Sequence, residues 1–322
     1  MGRGDVAVGV KYAAVFPGQG SQVVGMGADV AENSAAARDL FARASSTLGY
    51  DLLALQTQGP ETTLRETQFS QPAIFVTNLA LYYAGEETAR PVVSAGHSFG
   101  EFCSLTIAGS LKFEEALRLV DARGKAMQHA AELAPGGMTA VLGLDAESIR
   151  EIASRVESET GGRVQLANFN SPTQIVISGD AAAVQTAAEA MLAKGAKRVV
   201  PLNVSGAWHS RLMDPAAQLF EPSVNAAQFT IPEFDVISNV DAQPYRDVTA
   251  IKRNLIRSVT EEVRWHETAQ ALLAHDLDLV VEFGASPVLG PLMRRLSNAI
   301  EVLNVSDCAS VQKLREKLSV HA

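Results

Sequence analysis

The sequence predicts an α/β protein built on a parallel sheet, interrupted by a smaller sheet-and-helix unit. Three observations carry this. Short apolar, β-branched runs alternate with helical stretches toward both ends of the 322-residue chain, the pattern of strands joined by crossover helices. The run from Pro91 to Ser94 ends in Gly96-His97-Ser98-Phe99-Gly100, and an apolar helical stretch with Phe102, Leu105 and Ile107 follows. That strand, sharp turn and helix make the large domain α/β-hydrolase-like. Between Met138 and Val204 the order is strand, helix, strand, strand, helix, strand, which is ferredoxin-like. The expected organisation is a large domain from residues 1–135 and 207–322, with residues 136–206 as the inserted ferredoxin-like domain.

The elements follow in order. Lys11–Phe16 reads as a buried strand stopped by Pro17-Gly18-Gln19-Gly20, whose small residues suit a loop that comes close to something. Helices are expected through Arg43, over Leu52–Gln56, and from Ala73 to Tyr83, with Pro72 in the first turn of the last. Phe113–Ala131 is amphipathic and contains Arg123-Gly124-Lys125. A glycine there costs a helix about 1 kcal/mol, which close packing would justify. After the inserted unit come a strand at Asp235–Ser238, helices over Val248–Arg257 and Trp265–His275, and an apolar strand at Leu279–Phe283. A helix over Val288–Leu296, a strand at Glu301–Val305 and a short polar helix carrying Lys313 and Arg315 close the chain.

Composition narrows the function. The chain is 47% hydrophobic and 20% charged, ordinary for a globular protein, and its net charge of −9 argues against nucleic-acid binding. No apolar run suffices to cross a bilayer, and the first residues lack the apolar core of a signal peptide. Cys103 and Cys308 cannot form a disulfide framework, which suits a reducing, cytoplasmic setting. No spacing of Cys and His has metal-ligand form.

Ser98 is the candidate nucleophile, presented at the end of a strand with the N–H groups of the next helix aimed at it. A serine hydroxyl needs a base within hydrogen-bond reach. Of the six histidines, His97 is adjacent in the turn and suits bracing it. His129, His266 and His275 fall in polar helical stretches, and His321 in the tail. His209, after a Ser-Gly-Ala loop, remains as the best base by elimination. No acidic residue is evidently placed to complete a triad.

These residues lie in a set of ordered motifs: Phe16-Pro-Gly-Gln-Gly-Ser-Gln22, Gln71-Pro72-Ala73, Gly96–Phe102, Arg123–Gln128, Asn168-Phe-Asn-Ser-Pro172, Gly206–Ser210 and Val263-Arg264-Trp265. Together they resemble the malonyl-CoA:acyl-carrier-protein transacylases and the acyltransferases of polyketide synthases, over nearly the whole chain. The resemblance implies a ping-pong transfer in fatty-acid or polyketide biosynthesis. Ser98 would take a malonyl or related carboxyacyl group from CoA and pass it to the phosphopantetheine thiol of an acyl carrier protein. It further implies an oxyanion hole from the backbone N–H groups of Gln19 and Phe99, Arg123 on the substrate carboxylate, and a backbone carbonyl as the partner of His209. Ser258 falls where that carbonyl is expected. Gln71, His97, Asn168 and Trp208 are supporting pocket positions in this reading. No permanently bound cofactor or metal is implied, only the CoA thioester as substrate, and the chain is expected to be a monomer.

Trp208, Arg211, Ser258 and Phe99 depart from the commonest residues of the family pattern; Trp208 and Phe99 are expected to border the acyl pocket. An acidic carrier would need a basic patch, for which Lys194, Lys197, Arg198, Arg294 and Arg295 are candidates. Two rival readings use the same chain: a carrier-protein thioesterase with the same Ser98–His209 pair, and a non-catalytic interaction module. A transacylase for a non-malonyl group is the narrower alternative.

Overall fold

A computed structural model describes residues 9–85 and 89–319. The N-terminal residues on which the signal-peptide expectation rests, and His321, lie outside the described residues. In chain order the elements are β1 (Tyr12–Phe16), α1 (Ala28–Asn33), α2 (Ala35–Leu48), α3 (Leu52–Gln58), α4 (Glu61–Arg65), α5 (Thr67–Gly85), β2 (Val93–Gly96), α6 (Glu101–Ile107) and α7 (Phe113–Leu133). Next come β3 (Gly136–Leu142), α8 (Ala146–Thr160), β4 (Val164–Ser171), β5 (Gln174–Asp180), α9 (Ala181–Lys194) and β6 (Arg198–Pro201). The chain ends with α10 (Asp214–Ala226), β7 (Asp235–Val236), α11 (Val248–Arg257), α12 (Trp265–Leu273), β8 (Leu279–Phe283), α13 (Leu289–Leu296), β9 (Glu301–Val305) and α14 (Cys308–Ser319).

The strands form two separate sheets. The first has five strands in the order β7-β2-β1-β8-β9, and every neighbouring pair is parallel. Its central strands are wholly buried because helices cover both faces, so they read as continuous apolar runs rather than alternating ones. The second has four antiparallel strands in the order β4-β5-β3-β6. Helices α8 and α9 cover one of its faces and bury Ile149, Ile152, Val156, Val184 and Met191 against Val141, Ile175 and Ile177. The antiparallel sheet is tied to the segment before α12 by backbone hydrogen bonds: Val263 donates to the Ala167 carbonyl at 2.8 Å and Phe169 donates to the Val263 carbonyl at 2.9 Å. This parallel bridge, beside β4, links the inserted sheet to the segment that leads into α12.

Several elements differ from the sequence reading. The helix expected to open at Pro72 begins at Thr67 and carries Pro72 inside it. Nearly every residue of this helix is buried, so packing on all faces outweighs the backbone hydrogen bond that proline forfeits. The strand at Asp235 is only two residues long. The C-terminal helix is not simply polar: Val311, Leu314 and Leu318 are buried in the main core.

Gly124 illustrates how packing decides a residue. It lies in the middle of α7, where α5 crosses closely, and a Cβ there would come to 2.9 Å from the Thr67 carbonyl oxygen. Gly124→Ala is therefore expected to lower unfolding free energy by about 1–3 kcal/mol, through overpacking, although the same change stabilises an open helix. Urea denaturation of the two proteins checks the sign.

Candidate active site

Three loops converge at the carboxyl end of the parallel sheet, where open α/β sheets bind ligands. The Pro17–Ser21 loop leaves β1, the Ser98 turn leaves β2, and the 237–243 turn leaves β7. The turn at Ser98 is sterically forced. A Cβ on Gly96 would lie 1.8 Å from the Gly100 carbonyl carbon, so the strand can fold back onto the following helix only with glycine there. Gly18 lies against the His97 carbonyl, where a Cβ would come to 2.6 Å; the close approach expected of this loop is thus to the Ser98 turn. Ser98 itself has φ of 56°, the left-handed region, and so does His209 at 56°.

His209 is delivered by the segment returning from the antiparallel sheet. Its Nε2 lies 2.9 Å from Ser98 Oγ, and its Nδ1 lies 2.8 Å from the Ser258 carbonyl oxygen. A carbonyl can only accept, so Nδ1 carries the proton and Nε2 presents a lone pair to the hydroxyl. Arg123, on α7, donates from NH2 to Ser98 Oγ at 3.1 Å and from NH1 to Gln71 Oε1 at 3.0 Å. The guanidinium is only 1% exposed and its Nε has no partner. Ser98 Oγ thus accepts from the arginine and donates to the imidazole.

Charge follows burial. His209 is pushed down to about 3, first by burial, then by the positive charge of Arg123 and by His97, with the Ser258 carbonyl working the other way. Burial also takes His97 down to about 4, against its hydrogen bond to Asn170. Arg123 falls to about 10 through burial, with Glu101 opposing. Both histidines are neutral at neutral pH, the form a base requires.

The other expected positions divide. Gln71, His97, Asn168, Trp208 and Gln19 line a cleft of about 520 Å³ together with Ser98, Arg123 and His209. Gln19 is tied to the start of α5 by Nε2 donating to Thr67 Oγ1 at 3.1 Å. Among the described residues, the backbone N–H groups of Gln19 and Phe99 donate to no protein acceptor. The Phe99 side chain does not border the cleft as expected; it is buried in the main hydrophobic core. His97 braces the turn by pairing Nε2 with Asn170 Oδ1 at 3.0 Å, so within the Asn168–Pro172 motif it is Asn170 that holds it. Ser258 contributes its carbonyl and lies outside the cleft. His129 is exposed, His266 packs on Phe169, and His275 bonds Ala271 and Asp235. Lys194, Lys197, Arg198, Arg294 and Arg295 are exposed and none lines the cleft.

Sequence reasoning missed Asn239, Glu101, Tyr245 and Gln165. Gln165 donates to the His209 and Thr260 carbonyls at 3.4 and 3.3 Å, and Arg211 bonds both Gln165 and Glu157. No spacing signals these partners, since each lies far from its target in sequence.

The acyl transferase domain family matches residues 14–320. The chain belongs to that family. The malonyl CoA-acyl carrier protein transacylase of Haemophilus influenzae is 40% identical over 96% of this chain and 99% of its own length. The solved malonyl CoA-acyl carrier protein transacylase of Coxiella burnetii superposes with a TM-score of 0.93 at 36% identity, covering 97% of this chain and 98% of that one. A malonyl-transacylase solved in complex with a type II polyketide-synthase acyl-carrier protein gives a TM-score of 0.90 at 40% identity, covering 95% and 99%. In this acyltransferase fold the buried imidazole makes a directional demand on stability. The unfolded chain binds a proton on His209 below about 6.5, whereas the folded chain resists it down to about 3. Its contribution is present at neutral pH and is lost as pH falls through that window. His209→Gln is therefore expected to gain in melting temperature relative to the parent as pH drops from 7 to about 4.5; calorimetry at several pH values reads the difference.

Proposed function

We propose that the chain transfers a malonyl group from CoA to the phosphopantetheine thiol of an acyl carrier protein through an acyl-Ser98 intermediate, in fatty-acid or polyketide biosynthesis. The observation that carries this reading is a buried arginine with an unpartnered Nε, one of whose NH2 donors reaches the hydroxyl that the imidazole also holds. A serine hydrolase needs no such cation. A carboxylated acyl group does, and the planar fork of arginine matches a carboxylate through two parallel hydrogen bonds.

In the first half-reaction Ser98 Oγ attacks the thioester carbon as its proton passes to His209 Nε2. In this reading the negative oxygen of the tetrahedral species takes its hydrogen bonds from the Gln19 and Phe99 N–H groups, which donate to no protein acceptor among the described residues. The carbon–sulfur bond then breaks, and the proton on Nε2 leaves with the CoA thiol. In the second half-reaction the carrier thiol gives its proton to Nε2 and its sulfur attacks the same carbonyl. The carbon–Oγ bond breaks and Oγ regains the proton. Pairing of Arg123 with the malonyl carboxylate also cancels part of the positive field that depresses His209, so substrate binding strengthens the base. CoA enters as substrate, and the reaction as written calls on no bound cofactor.

We read the larger unit, residues 1–135 and 207–322, as α/β-hydrolase-like and residues 136–206 as a ferredoxin-like domain; the strand order β4-β5-β3-β6, with α8 and α9 as the crossings, supports the second assignment. No described helix is long and apolar enough to cross a membrane, and the free thiols Cys103 and Cys308 suit a cytoplasmic setting.

Intact-mass measurement after mixing with acyl-CoAs tests the proposal. Malonyl-CoA is expected to add one malonyl unit, absent in Ser98→Ala. Arg123→Ala is expected to slow malonyl loading by about 100-fold or more, as loss of a buried charge partner does, while acetyl loading falls far less. Undiminished malonyl loading by Arg123→Ala defeats the carboxylate reading.

A further inference from the structure

A left-handed serine does not hold itself in place. A non-glycine residue with φ of 56° sits in a sparsely populated region and persists only where its surroundings over-determine it. At Ser98 they do so through Asn239, whose Oδ1 accepts the Ser98 N–H at 2.7 Å. Asn239 is 0% exposed and is itself pinned at both ends of its backbone. Its N–H donates to Glu101 Oε2 at 3.1 Å, and its carbonyl accepts from the Arg264 N–H at 2.9 Å. The other Glu101 oxygen accepts from the Tyr245 hydroxyl. The Asn239 Nδ2 has no partner, so its side chain is oriented by its oxygen alone.

Topology explains the meeting. β7 pairs in parallel with β2, with Val236 opposite Ser94, so the chain leaving each strand arrives at the same edge. The two-residue strand β7 exists in this register to bring Asn239 to the Ser98 turn.

We propose that Asn239, braced by Glu101, is a positioning residue for acyl transfer: it holds the Ser98 backbone in the conformation that aims Oγ at His209 and withholds the Ser98 N–H from the substrate oxyanion. This role rests on Ser98 being the nucleophile. It also leaves the Gln19 and Phe99 N–H groups, and not the nucleophile's own, as the donors facing the reacting carbonyl.

The test compares Asn239→Ala, Asn239→Leu and Asn239→Asp by rapid-quench intact-mass kinetics with malonyl-CoA, with melting curves for each and Ser98→Ala as control. Alanine and leucine both remove the acceptor, and leucine keeps the volume; each is expected to slow Ser98 acylation by about 30-fold or more, the scale of a lost buried acceptor. The KM for malonyl-CoA stays within about twofold, because Asn239 does not line the cleft. Aspartate retains an acceptor and is expected to recover the rate to within about fivefold. A folded Ala or Leu variant that acylates at the parent rate, or a folded Asp variant as slow as they are, overturns the proposal. Acylation persisting in Ser98→Ala would instead refute the nucleophile reading itself.

Discussion

A guanidinium taken out of water without an ionic partner is the constraint on which the rest of this structure depends. Arg123 is buried in the middle of α7, and among the described residues it makes hydrogen bonds to Gln71 and Ser98 but no ion pair. Such a charge is expensive, and removing it from solvent without a carboxylate costs several kcal/mol in ordinary proteins. The surroundings are arranged around that cost. Gln71 is helical because α5 starts earlier than Pro72, Gly124 lets α5 approach, and Arg123 borders the cleft with its Nε buried and unpartnered. The protein thus holds a cation with unmet hydrogen-bonding capacity at the edge of the cleft.

The same cation shapes the acid–base chemistry. Its field and the low polarity of the site keep His209 neutral, and the Ser258 carbonyl fixes which nitrogen bears the proton. A carbonyl orients the ring without adding a formal negative charge. In a site that must attract a substrate carboxylate, a triad aspartate would compete for Arg123 and repel the ligand. The absence of an acidic partner at His209 and the presence of Arg123 are thus two sides of one electrostatic choice.

Much of this was legible from local pattern. The Ser98 turn announces itself because strand, glycines and helix are contiguous, and the βαββαβ order of the inserted unit is likewise a run of neighbours. His209 emerged by elimination among the histidines. What escaped the sequence depends on crossings between distant segments. Asn239 and Tyr245 reach the Ser98 turn only because β7 pairs with β2, and a two-residue strand leaves almost no periodic trace. Phe99 was expected at the acyl pocket, yet its side chain turns into the core. Asn170 rather than Asn168 holds His97, a contact between residues 73 apart that the motif alone does not reveal. Helix α5 runs further back than Pro72 suggests, because burial of the whole segment outweighs the proline.

The seam at Val263 carries a mechanical consequence. Ser98 is mounted on the parallel sheet, whereas His209 lies on the segment that follows the antiparallel one, and the 2.9 Å contact between them joins two parts of the chain positioned by different elements. Backbone pairing of Val263 with Ala167 and Phe169 ties the antiparallel sheet to the segment between α11 and α12, which also carries the Ser258 carbonyl that holds His209. Turnover in such an arrangement is sensitive to stiffness as well as to chemistry. A substitution that loosens this pairing would desynchronise hydroxyl and imidazole without altering a single reacting group.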